Sequence, residues 1–165
     1  MPLQVGEQVG GAASMSLTTV SLEVGESKIR QFTSKRAINA VLELIWNSLD
    51  ANATAVTIQL IRTPSDAIEQ IRVIDNGHGF SAEEAGTSFR EYGETWKQGR
   101  THGHDNQRIL HGANGEGRLF SFALGDRVEW HSVSSNAEVN YSVRVSAETA
   151  RPTVWEIEDL GRAMK

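Results

Sequence analysis

Apolar residues along this chain recur at two spacings, and the switches between them outline its elements. From Arg36 to Ala51 (RAINAVLELIWNSLDA) Ile38, Val41, Leu42, Leu44, Ile45, Trp46 and Leu49 cover most of a helix circumference. That pattern predicts a largely buried helix around which the rest is arranged, with Ser34 placed to cap its start. The strip left over carries Glu43, Asn47 and Asp50 at i, i+4 and i+7, hence on one face. A solvated strip is the simplest account of these three taken alone.

Elsewhere the period drops to two. Thr18 to Val24 is β-rich, Ala55 to Arg62 alternates with Val56, Ile58 and Leu60 on one face, and Gln70 to Asp75 is a further strand. Glu26 to Phe32 is a candidate helical turn. Asn76 to Gly79 is a turn signal, and Ser81 with Glu84 forms a capping box that opens a short helix to about Tyr92. Leu119, Phe120, Phe122 and Ala123 give helical spacing to Glu116–Leu124, which Gly125 closes. Three strands end the chain: Arg127 to Val133, Val139 to Val145 and Thr153 to Glu158, the first two joined by a hairpin turn at Ser134–Ala137. Strands and helices without strict βαβ alternation imply an α/β protein. The expected form is a two-layer α/β sandwich, its sheet mixed but mostly antiparallel and its helices on one face.

Two stretches follow neither period. Residues 1–16 are rich in Gly, Ser and Ala and are expected to be a flexible tail, which leaves 17–165 as one domain. Residues 91–114 bear glycines without periodicity, the mark of a lid or an insert.

Composition narrows the function classes. At 165 residues, 39% hydrophobic and 22% charged, the chain is an ordinary globular domain with room for a core. A net charge of -5 disfavours a broad phosphate-binding surface, so nucleic acid would be met only through regions outside this chain. The absence of cysteine removes disulfides, thiol nucleophiles and zinc–thiolate sites, and fits a reducing compartment. No apolar run approaches the roughly 18 residues of a membrane span, and the N-terminus lacks a signal peptide's pattern, so a cytoplasmic protein without membrane partners is expected.

Two further constellations bear on chemistry. Asp75-Asn76-Gly77-His78-Gly79-Phe80 ends a strand with a carboxylate able to accept from an amino group and two glycines that permit close backbone approach. By itself it also fits a plain Asn-Gly turn. Gly112-Ala113-Asn114-Gly115-Glu116-Gly117-Arg118 is a G-x-x-G-x-G run opening a helix, where free N–H groups can converge on an anion. It is neither the P-loop nor the dinucleotide fingerprint. His102, His104, Asp105 and His111 lack the helical or strand framework that fixes metal ligands.

Taken together and in this order, the three constellations resemble the GHKL superfamily of gyrase B subunits, heat-shock chaperones, histidine kinases and MutL proteins, built on the Bergerat ATP-binding fold. The similarity spans roughly Ser34 to Leu160. ELIWNSLDANAT looks MutL-like or MORC-like, and GETWKQGR with GANGEGRLFSFALG is similar to bacterial MORC-like ATPases.

The resemblance implies Mg-dependent ATP binding and hydrolysis, with nucleotide governing a lid at about 91–114 and the homodimerisation of a larger protein. It implies Glu43 as the general base toward water, Asn47 as the Mg²⁺ ligand, Asp75 as acceptor for the adenine amino group and Asp50 as its support. Gly77 and Gly79 would let the nucleotide pack on backbone, and Gly112, Asn114, Gly115 and Gly117 would cradle the phosphates. Lys97 and Arg118 are candidate phosphate contacts, with a solvated lysine and a surface arginine as the plain alternatives. Thr153 matches the threonine that relatives hold near adenine, or else is an ordinary strand residue. Gyrase-like and MutL-like relatives continue into a transducer domain that brings a lysine to the γ-phosphate, so a fragment, or a domain that turns over slowly, is expected. Two other functions compete: a nucleotide-binding module without turnover, and a histidine kinase catalytic domain.

Overall fold

A computed structural model describes residues 15–22, 24–34, 36–90, 117–136 and 139–163. Of the expected tail at 1–16, residues 1–14 lie outside the described residues while Ser16 already belongs to a strand, and the lid assignment for 91–114 lies wholly outside them.

Strand β1 (Ser16–Ser21) is followed by helices α1 (Glu26–Thr33) and α2 (Ala37–Asp50), then by the hairpin β2 (Val56–Arg62) and β3 (Ile68–Asp75). Helix α3 (Ala82–Ser88) and the single turn α4 (Gly117–Phe120), continued by a 3₁₀ turn at Ser121–Ala123, precede β4 (Arg127–Asn136), β5 (Val139–Glu148) and β6 (Val154–Arg162). The architecture is α/β with antiparallel sheets. One sheet runs β1-β6-β5-β4 and the β2–β3 hairpin stands apart from it. Every strand pair among the described residues is antiparallel.

The four-stranded sheet buries one face. Val143, Val145 and Ala147 of β5 alternate inward, as do Trp155 and Ile157 of β6, and they meet Ala85, Phe89, Leu119 and Phe122 from the helical layer. Period-two patterning dictates this, since every second side chain leaves on the same side. Trp155 is central: its ring centroid lies 5.0 Å from Phe89 and 5.5 Å from both Phe122 and Trp130, in tilted or edge-on arrangements. The capping box at Ser81 forms as expected. Glu84 N donates to Ser81 Oγ at 3.2 Å, and Ser81 N donates to Glu84 Oε2 at 2.8 Å.

Helix α2 departs from expectation. Its buried residues are Ala40, Ser48 and Asp50, whereas Ile38 is 60% exposed and Leu42 and Trp46 are also exposed. The helix rests on α4 and the 3₁₀ turn, Ile38, Leu42 and Trp46 turn outward, and Val41, Leu44, Ile45 and Leu49 are half-buried. An apolar pattern around most of a circumference does not select which side goes in. Ser34 is not the cap of α2 either. Its hydroxyl donates to the Gln31 carbonyl at the end of α1, and the N-cap position falls on Arg36, which has no capping side-chain bond.

Candidate functional site

The site is assembled where α2 ends, and the sequence NSLDANA makes that end a tight one. Asn52 takes a left-handed conformation (φ 61°), its N–H donates to the Leu49 carbonyl, and Ala53 N donates to the Ser48 carbonyl. These two bonds define a Schellman motif, in which asparagine is a tolerated left-handed residue.

The loop after β3 locks onto this end. His78 N donates to the Ala51 carbonyl at 2.9 Å. Asn76 Oδ1 accepts from the N–H groups of Thr54 and Ala55, both at 2.9 Å, and its Nδ2 donates to Thr54 Oγ1 at 2.8 Å. Ser48 Oγ lies 2.9 Å from Asp75 Oδ2, while Gly77 N donates to Asp75 Oδ1 at 2.8 Å. Asp75 is thus an exposed carboxylate with a donor on each oxygen, and Asp50 is buried at the last position of α2.

The two glycines of this loop are required by protein, not only by any ligand. A Cβ at Gly77 would stand 2.7 Å from the Ala51 carbonyl oxygen and 2.9 Å from Asp75 Oδ1. A Cβ at Gly79 would stand 2.4 Å from the Val133 carbonyl oxygen, and its φ of +66° is itself unfavourable for other residues. Phe80 N donates to Ser132 Oγ, so the loop is bound to β4 as well as to α2.

Of the third constellation, Gly117 and Arg118 are among the described residues. Gly117, the first residue of α4, approaches the polar strip of α2 so closely that a Cβ would lie 3.1 Å from Glu43 Oε2 and 3.3 Å from Asn47 Nδ2. Glu43 is half-buried and Asn47 is exposed. Glu43 and Asn47 of the strip therefore face the end of the glycine run. With α4 only one turn long, close backbone approach rather than a helix dipole is what Gly117 contributes.

Two further predicted residues have described surroundings. Arg118 is neither at the surface nor on the strip: it is buried, donates to the Ser88 carbonyl at the end of α3 and sits with Cζ 5.7 Å from the Phe89 ring centroid. Thr153 lies in the turn before β6, where its carbonyl accepts from Leu22 N at 2.8 Å. Lys97, Gly112, Asn114 and Gly115 lie outside the described residues.

Sequence reasoning missed Ser48, Asn52 and Asn76. Asn52, two residues past the helix, carried a legible C-terminal signal. Asn76 was visible only as turn chemistry, and nothing local marks Ser48.

A family model described as "Histidine kinase-, DNA gyrase B-, and HSP90-like ATPase" matches residues 35–164, and the chain belongs to this family. It is a GHKL-type ATP-binding domain with MutL-like sequence. DNA mismatch repair protein MutL of Staphylococcus aureus strain Newman is 36% identical over 58 residues, 35% of this chain and 8% of that protein, and MutL of strain JH1 matches equally. The matched stretch is thus a small part of those relatives' length. Among the described residues, no helix is long and apolar enough to cross a membrane.

Proposed function

We propose that this chain binds Mg-ATP between α2, the 75–80 loop and the glycine run entering α4, and that it hydrolyses the γ-phosphate. The approach of Gly117 to Glu43 and Asn47 carries this reading, because it sets a carboxylate and an amide of α2 against the backbone that follows the glycine run. Glu43 Oε2 takes a proton from water as the water oxygen bonds to the γ-phosphorus and the bond to the β,γ-bridging oxygen breaks, leaving ADP and phosphate. Asn47 offers a side-chain oxygen to Mg²⁺. The donor set fits a hard cation, being an amide beside carboxylates in a chain without thiols. Bound Mg²⁺ supplies neutralisation of phosphate charge.

Asp75 accepts the adenine 6-amino group, and Asp50 supports that end of the pocket. Gly112, Asn114 and Gly115 cradle the phosphates with Gly117, Lys97 adds a contact from the lid at about 91–114, and lid closure promotes dimerisation of the larger protein. Arg118, which also donates to the Ser88 carbonyl, is a phosphate contact in this reading, and Thr153 serves the adenine end.

Mg-ATP binding and phosphate release by wild type, Glu43→Ala and Asp75→Asn test it. In Glu43→Ala, binding stays within about twofold while turnover drops by about 100-fold or more. Asp75→Asn loses binding. A full-length protein that binds Mg-ATP without turnover would leave a nucleotide-binding module and remove the hydrolase.

A further inference from the structure

Ser48 lies on α2 between Asn47 and Leu49 and is 4% exposed. Its Oγ is 2.9 Å from Asp75 Oδ2 and 3.1 Å from the Leu44 carbonyl oxygen. A hydroxyl has one proton to give. The Leu44 carbonyl is already the helical acceptor for Ser48's own N–H, and a carboxylate is the stronger acceptor, so the proton belongs to Asp75. On the other oxygen, Gly77 N donates at 2.8 Å. The two donors come from different elements, one from the helix and one from the turn. Together they fix the plane of a carboxylate that would otherwise rotate freely at an exposed position. Each oxygen keeps a lone pair for a further donor.

We propose that Ser48 is a positioning residue that sets base selectivity through Asp75. The inference rests on the reading of Asp75 as the adenine acceptor and extends it. A carboxylate held in one plane rewards the donor N–H of a 6-amino purine and rejects guanine, which presents a carbonyl oxygen at that position. A rotating carboxylate would gain less from the first and find water in place of the second.

The experiment measures equilibrium binding of three Mg complexes by the full chain: ATP, the purine riboside triphosphate that lacks the 6-amino group, and GTP. Wild type, Ser48→Ala and Asp75→Asn are compared. Alanine suits a helix interior, so Ser48→Ala stays folded, which circular dichroism checks. Ser48→Ala weakens ATP about five- to tenfold and leaves the desamino analogue within about twofold, which lowers the ratio between them. Equal weakening of both ligands, or an unchanged ratio, overturns the proposal, since a merely structural serine would not alter the ratio. A wild type without preference for the 6-amino compound, or an Asp75→Asn protein with full ATP affinity, instead removes the adenine reading and this inference with it.

Discussion

Trp155 and Ser48 are both almost fully buried, one surrounded by rings and the other by polar partners. Around Trp155 stand Phe89, Phe122 and Trp130, and any set of large apolar groups filling the same volume would serve nearly as well. Around Ser48 every contact names its partner: Asp75 for the hydroxyl, Ala53 for the carbonyl, and nearby Asn76 for Thr54 and Ala55. The sheet side supplies stability through area removed from water, which is non-directional. The α2 end supplies geometry through hydrogen bonds, each modest in net energy but exacting in direction. Stability and site geometry are therefore held in separate places, and substitutions should separate them.

The largest effect belongs to the rings. Trp155→Ala removes the most central side chain and is expected to cost about 3–5 kcal/mol in denaturant unfolding. The ratio of ATP to desamino-analogue affinity should stay unchanged in the fraction still folded. A changed ratio would mean that the two regions are not separate.

Gly79→Ala comes next. A left-handed φ and a Cβ 2.4 Å from the Val133 carbonyl oxygen should cost about 1–3 kcal/mol, since the 75–80 loop must move off β4. Nucleotide affinity should fall further than the stability loss explains. Wild-type affinity in a destabilised Gly79→Ala protein would show that the loop does not govern the pocket.

The smallest effect lies on the sheet's rim. The Glu129 carboxyl is held below its ordinary value, chiefly by its hydrogen bond from Arg127 at 2.8 Å, with His131 adding to it against the opposing effect of burial. A folded-state value below the unfolded one stabilises fully above the ordinary carboxylate range and is lost as pH falls through the folded value. Glu129→Gln should therefore melt slightly below wild type at neutral pH, within the range of an exposed ion pair, and the two should converge in acid. A gap that persists below the folded value would assign the effect to packing.

Much of the fold was legible because its signals are local. Period-two alternation marked the strands, and the Ser81–Glu84 box marked the start of α3 within one residue. The helix expected at Glu116–Leu124 forms as one α-helical turn and a 3₁₀ turn, which spacing alone does not distinguish. The facing of α2 was not legible. Its apolar residues span most of the circumference, so the pattern did not show that Ile38, Leu42 and Trp46 turn outward while Ala40, Ser48 and Asp50 are buried.

The polar strip of Glu43, Asn47 and Asp50, the strand-ending carboxylate of Asp75 and the glycines around them were set by sequence alone, since helical and strand periods fix which residues share a face. Only the tertiary structure decided who meets whom. Ser48 reaches Asp75 across 27 positions, Asn76 staples Thr54 and Ala55, and Arg118 turns to Ser88. The reason is physical: caps and periods act over a few residues, whereas these bonds exist only once the elements that carry them have stacked.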